Sequence, residues 1–385
     1  MDPVPAAGST PLTSELRDRF AVGGALRFDD YMEAVLYDPR RGFYATGGRA
    51  GARAGDFITS PEVGPLFGAV LAGVVDDWWR AAGSPTTFTV AEPGAGPGTL
   101  AAAVRLAQPA CADALRWVLV ERTAAQRVRH VERLGARDDL DDAVGAPARR
   151  GTPELRSVAH LPHGFRCDAV VANELLDNLP TRVVERTAAG WSEVWVTAGD
   201  APGALVEELR PLDASDPAAQ CATRLAPDAV VGARVPVEDE AVRWLGDALA
   251  RVGEAGHVLV FDYADTTTSM ARRGQASWMR TYSTHGRGLD PLEACGTQDL
   301  TVDVAIDQLA EVRPPSLDTT QVAFLVANGI DRLVEEGRRV WTERAHVGDL
   351  AAVRARSRVR EAEALCDPAG LGAHRALGWG PLLQQ

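Results

Sequence analysis

The sequence predicts a doubly wound α/β fold on a parallel sheet, with a helical extension before it and an inserted region within it. Three observations carry this. Short apolar runs rich in β-branched residues recur at 88–92, 116–121, 167–173 and 257–263, as strands buried on both faces should read. Helix-compatible stretches follow them. The first run leads through a glycine-rich turn into an alanine-rich helix start, TFTVAEPGAGPGTLAAAV over 87–104.

In chain order, residues 12–46 read as helical, with Leu16, Phe20, Phe28, Tyr31, Met32, Val35 and Leu36 as the apolar set, until Asp38-Pro39 stops the run. GGRAGARAGDFITS (47–60) reads as loop. A helix from about Glu62 to Trp79 ends near Gly83-Ser84-Pro85, and Trp78 and Trp79 should anchor it to a core. Strand 88–92 is followed by a helix at 98–107, and strand 116–121 by one at 123–133. Between the third and fourth strands, 181–256 breaks the alternation. There TRVVERT and WSEVWV read as a hairpin about Ala188-Ala189-Gly190, 198–220 as an acidic loop and 238–252 as a helix. DLTVDV (299–304) reads as a strand, and helical segments are expected at about 305–311, 319–338 and 341–366. The expected domains are an N-terminal helical extension over 1–84 and the α/β domain over 85–385.

The chain has 385 residues, enough for one large domain with additions or for two. Its net charge of -13, from 40 basic and 53 acidic residues, disfavours nucleic acid and anionic membrane as partners. Every basic residue is arginine, which excludes Schiff-base chemistry and a P-loop lysine. Cys111, Cys167, Cys221, Cys295 and Cys366 are widely spaced and odd in number, so reduced thiols and a cytoplasmic location are expected. MDPVPAAGST lacks the basic and apolar regions of a signal peptide, and no apolar run approaches the ~18 residues of a membrane span. His160 and His163 have no acid–His motif beside them, so no metal site is expected, and His285 reads as a surface-loop residue.

Nucleotides, dinucleotides and S-adenosylmethionine are all held by loops of the kind seen at 94–98. Gly94, Gly96 and Gly98 are spaced G-x-G-x-G, and Thr99 stands where a dinucleotide loop has its third glycine. Glu92, two residues before the loop, suits a ligand with a positive end, and S-adenosylmethionine carries an ammonium and a sulfonium. The helix N-terminus can meet its carboxylate, and Pro97 costs no needed donor there. Glu121 ends the next strand, where an acid bonds ribose hydroxyls; NAD and S-adenosylmethionine share that ribose. At the end of the third strand, VVANELLDNLP (170–180) crowds Asn173, Glu174 and Asp177 where open α/β sheets bind ligands. On a helical turn Glu174 and Asp177 would share a face, and Asn173 could equally serve as an N-cap with acids in the first turn.

Several stretches occur in order: YMEAVLYDPRRGFYATG (31–47), GDFITSPEVGPLFGAVLA (55–72), EPGAGPGTLAAAVR (92–105), ANELLDNLP (172–180), GTQDLTVDV (296–304) and DPAGLG (367–372). Together they resemble the MidA-type methyltransferases, a family that includes bacterial proteins and the mitochondrial complex I assembly factor that methylates a protein arginine. The resemblance implies a Rossmann-like class I methyltransferase sheet, S-adenosyl-L-methionine as cofactor and a protein arginine acceptor. It places Gly94, Gly96, Gly98 and Glu121 on cofactor positions and ANELLDNLP beside the methyl group. Glu174 is then the first catalytic candidate, Asp177 the second, and Asn173 a polar orienter that also touches the cofactor. Thr59, Ser60 and Glu62 fall in the segment expected to close over the cofactor. The insertion at 181–256 would form an acceptor wall or a dimer surface, allowing a homodimer. Two other readings stand beside this: a non-catalytic partner-binding protein on the same fold, and an NAD(P)-dependent oxidoreductase, which Thr99 and Glu92 disfavour.

Overall fold

The structure is a computed structural model that describes residues 10–46, 59–140, 151–283 and 286–381. It divides into two compact units, each assembled from separate stretches of chain. One draws on Met1–Ile58, Leu176–Gly246 and Tyr263–Pro314; the other on Thr59–Leu175, Asp247–Asp262 and Pro315–Gln385.

The second of these is built on a seven-stranded sheet. Its strands are β1 (Phe88–Pro93), β2 (Leu115–Val120), β3 (Glu154–Val158), β4 (Ala169–Asn173), β5 (His257–Asp262), β6 (Leu317–Thr320) and β7 (Arg375–Trp379). Their spatial order is β6-β7-β5-β4-β1-β2-β3. All neighbours from β3 to β5 run parallel, with Val90 opposite both Trp117 and Ala169, and β7 is antiparallel to β5 and β6. The chain leaves β1 toward β2 and β3, then returns to β1's other side at β4. The strand order therefore reverses between β1 and β4, and a crevice at their carboxyl ends follows from that reversal.

The four expected strands are all present. Three more lack a clear apolar signature. β3 carries Arg156, whose nearly inaccessible side chain is paired with Glu154 at 2.7 Å and Asp139 at 3.2 Å, so the strand does not read as an apolar run. β6 is a polar edge strand, LDTT, and β7 is a short insert into the sheet. Helix α1 (Pro65–Ala81) lies against α2 (Thr99–Ala107) so closely that a Cβ on Gly68 would fall 2.4 Å from Ala103 Cβ. Trp78 is buried in this unit and stacks on His257 at 4.6 Å; Trp79 donates its indole N–H to Pro85 O at 2.9 Å. Helix α3 (Ala124–Leu134) follows β2. The helix expected over 319–338 starts only after β6, at Gln321, and is broken at Gly329, whose φ is +86°.

The other unit joins two antiparallel sheets to the N-terminal helices Pro11–Gly23 and Phe28–Tyr37, which the short strand Leu26–Arg27 separates. The expected hairpin closes with Thr187 opposite Gly190. The segment expected to be acidic loop holds a strand, Leu205–Pro211, and a helix, Pro217–Leu225, whose first turn Asp216 caps. Leu16, Phe20, Phe28, Tyr31 and Met32 share one core with Val183, Val194 and Val196. The N-terminal helices thus belong with the inserted region, while 59–84 belong with the seven-stranded sheet; the units do not part at residue 84. Among the described residues no helix is long and apolar enough to cross a membrane.

Candidate active site

The loop after β1 takes its shape from three left-handed glycines, Gly94 at φ +68°, Gly96 at +51° and Gly98 at +78°. Their surroundings differ. A Cβ on Gly98 would meet Leu134 Cδ1 at 2.6 Å and Leu119 Cδ2 at 2.9 Å, so this glycine lets α2 close on the sheet and α3. A Cβ on Gly94 would meet the tip of Leu175 at 2.8 Å, which puts the loop in contact with the turn after β4. A Cβ on Gly96 would meet nothing nearer than Gly94 O at 4.0 Å, so this glycine faces open space. Gly98 is also the N-cap of α2, and no side chain caps the helix there. Its first N–H groups and positive dipole end are the feature that receives a carboxylate.

Glu121 braces the loop. One carboxylate oxygen accepts Gly96 N–H at 2.9 Å and the other accepts Thr123 N–H at 2.7 Å. Burial raises its pKa, and these two N–H groups pull it back. A carboxylate has about four acceptor sites, so ribose hydroxyls can share it with the backbone. Glu92 lies at the end of β1, just before the loop. It lies buried against β2, where the Trp117 indole N–H donates to it at 2.5 Å, and burial pushes its pKa up to about 8. The carboxyl is therefore largely neutral at pH 7, and Trp117 Nε1 is a partner that the strand pattern does not reveal.

At the end of β4, Glu174 adopts a left-handed backbone, φ +49°, rare for a residue with a long side chain. Its N–H bonds Phe261 O at 2.8 Å, and the next N–H, of Leu175, bonds the buried Asp262 carboxylate at 3.2 Å. Glu174 Oε1 accepts from Asn173 Nδ2 at 3.0 Å and from Ser60 N–H at 3.3 Å. Ser60, wholly buried, donates its hydroxyl to Gln321 Oε1 at 2.9 Å. Thr59 donates to Glu62 Oε2 at 3.2 Å, and burial raises the Glu62 pKa. Glu174, Asn173 and Ser60 are thus brought together. Thr59 and Glu62 bond one another beside Ser60, while residues 47–58, including the GDFI half of GDFITSPE, lie outside the described residues.

Asp177 does not join Glu174 on a helical face. The left-handed Glu174 breaks any helix, and only a single 3-10 turn, Leu176–Asn178, comes after it. That turn belongs to the other unit, where Asp177 is buried near Asn178, Tyr44 and Asp299. Tyr44 donates to Asn178 Oδ1 at 2.8 Å and approaches Asp299 Oδ1 at 3.2 Å; Asn178 donates to Asp299 Oδ1 at 3.1 Å. Tyr37 stacks on Tyr44 and donates to Asn178 O at 3.0 Å. Burial raises Asp299 to about 6. Sequence reasoning misses Tyr37, Tyr44 and Asp299 as a cluster, although each lies in one of the family-like stretches. His160 and His163 are exposed, and His285 lies outside the described residues.

These residues fit S-adenosylmethionine. Asn173 Oδ1 is shielded from solvent and has no hydrogen-bond partner among the described residues, an acceptor left for a donor such as an ammonium or hydroxyl. The uncapped helix start suits a carboxylate, and Gly96 leaves room for close approach.

Sheet order, loop and strand-end turn define a class I methyltransferase that uses S-adenosylmethionine. Residues 70–320 match the family described as S-adenosyl-L-methionine-dependent methyltransferase, and the chain belongs to it. It is 29% identical over 360 residues to protein arginine methyltransferase NDUFAF7, mitochondrial, of Rattus norvegicus, covering 86% of this chain and 77% of the relative. Against the Homo sapiens protein of that name it is 30% identical over 346 residues, covering 84% and 74%. A COG1565 superfamily member from Burkholderia thailandensis, solved bound to S-adenosyl-homocysteine, superimposes with a TM-score of 0.81 at 30% identity, over 100% of this chain and 96% of that one. S-adenosylmethionine, not NAD, is the cofactor.

Proposed function

We propose that the protein methylates a protein arginine, with Glu174 holding the guanidinium. One observation carries this: a carboxylate fixed at the carboxyl end of β4, on the turn that touches the glycine loop through Leu175 and Gly94. The curated relatives, named protein arginine methyltransferases over most of this chain, support the choice of acceptor. Bound S-adenosylmethionine supplies an electrophilic methyl on a sulfonium. The chain's task is to set the acceptor nitrogen roughly 3–3.5 Å from that carbon, in line with the bond that breaks. With Oε1 steadied by Asn173 and Ser60, Glu174 can pair with the guanidinium. As the N–C bond forms and the C–S bond breaks, the nitrogen loses a proton, and Glu174 is the base that takes it. Asp177 is the second acid on the same stretch.

The test is methyl transfer from tritiated S-adenosylmethionine into a lysate of the host cells, followed by hydrolysis of the labelled protein. Label in methylarginine is expected. Label on another residue or on non-protein material overturns the acceptor. Binding of S-adenosyl-homocysteine with no transfer at all would make the chain a non-catalytic binding protein.

A further inference from the structure

His130 lies on α3 and is wholly buried, within the sequence RVRHVERL, whose other residues are mostly polar. Its Nε2 lies 2.8 Å from Gly96 O, and its Nδ1 lies 2.8 Å from Oγ of Ser157, which is buried on β3. Gly96 O can only accept, so Nε2 carries the proton, and Nδ1 accepts the Ser157 hydroxyl proton. The contacts thus select one neutral tautomer. Burial also lowers the His130 pKa, in keeping with a neutral ring.

The bond matters because the residue after Gly96 is a proline. Pro97 has no N–H, so the Gly96–Pro97 peptide offers only its carbonyl. A carbonyl turned toward the open side of the loop would oppose an incoming carboxylate with its negative end. His130 holds that carbonyl toward the protein, while Glu121 draws in the preceding N–H. Both peptides flanking Gly96 are thereby oriented, leaving the methylene of Gly96 and the uncapped start of α2 to face the ligand.

We propose that His130 is a positioning residue for cofactor binding, acting through the Gly96 carbonyl and steadied in its tautomer by Ser157. This rests on the glycine loop being the cofactor loop, but not on the identity of the acceptor.

The test compares two amides. In His130→Gln the amide nitrogen reaches the place of Nε2 and can still donate to Gly96 O. In His130→Asn it reaches only as far as Nδ1, toward Ser157. Calorimetric titration of the full chain with S-adenosyl-homocysteine should give a Kd within about twofold of wild type for Gln and about tenfold weaker for Asn, the loss expected for one missing hydrogen bond. Equal affinities for the two variants would overturn the proposal, as would wild-type affinity for Asn. Should the Asn variant not unfold cooperatively, His130→Leu fills the space without a donor. It should bind at least tenfold more weakly than Gln, and an affinity equal to that of Gln would overturn the proposal. Wild-type protein that does not bind S-adenosyl-homocysteine would instead refute the cofactor reading on which the proposal rests.

Discussion

Substitution of Gly98 and Gly96 by alanine should separate two roles that one loop combines. Both glycines have positive φ, so a side chain at either costs about 1–2 kcal/mol in backbone strain. At Gly98 the new methyl would also lie 2.6 Å from Leu134 Cδ1, 2.9 Å from Leu119 Cδ2 and 3.2 Å from His130 Cδ2. Overpacking of that kind adds about 1–3 kcal/mol. Gly98→Ala should therefore destabilise by roughly 2–5 kcal/mol, and Gly96→Ala by only about 1–2 kcal/mol. Affinity should take a different order. The Gly96 methyl points into open space, where the ligand must approach, so this milder variant should lose S-adenosyl-homocysteine binding by tenfold or more. Urea unfolding followed by tryptophan fluorescence reads the first effect, and calorimetry the second. Gly96→Ala as unstable as Gly98→Ala, or binding like wild type, would refute the division.

The buried acids lead to other outcomes. Glu92 is protonated in the fold up to about pH 8 but ionises near 4.5 when unfolded, so its contribution to stability is present below 4.5 and is lost as pH rises through 8. The slope is at most about 1.4 kcal/mol per pH unit. Urea midpoints should fall between pH 5 and 8, and Glu92→Gln, a neutral isostere that keeps an acceptor for Trp117, should flatten the fall; an unchanged slope would contradict the assignment. Glu121→Gln turns an amide N–H₂ toward the N–H of Gly96 or Thr123, which should cost about 1–3 kcal/mol in urea unfolding and weaken S-adenosyl-homocysteine in calorimetry. Tyr44→Phe removes the donor to Asn178 and Asp299 from a buried site, and thermal unfolding should show a loss of about 1–3 kcal/mol.

The centre of the sheet was legible because β1, β2, β4 and β5 are buried on both faces and read as apolar runs. β3 was hidden by Arg156, which is buried only because Glu154 and Asp139 pair with it. The division into units was also hidden, since it depends on Leu16 and Phe20 packing with Val194, far along the chain. In the site, glycine spacing and the acid at 121 were local signals and read correctly as a strand–turn–helix loop. The direction of Glu92 was not local, because the Trp117 indole on the neighbouring strand decides it. Helical spacing misplaced Asp177, since no pattern in NELLDN announces a left-handed Glu174. His130 escaped notice because a lone histidine among polar helix residues reads as exposed.

The role proposed for Glu174 is in transfer and not in holding the cofactor. Glu174→Gln preserves shape and an acceptor for Ser60 N–H and Asn173. S-adenosyl-homocysteine affinity and methyl transfer into the labelled arginine acceptor should be measured on the same preparation. Affinity should stay within about twofold of wild type and transfer should fall by a hundredfold or more, in the range for losing a positioned base. Full transfer by Glu174→Gln would contradict that role.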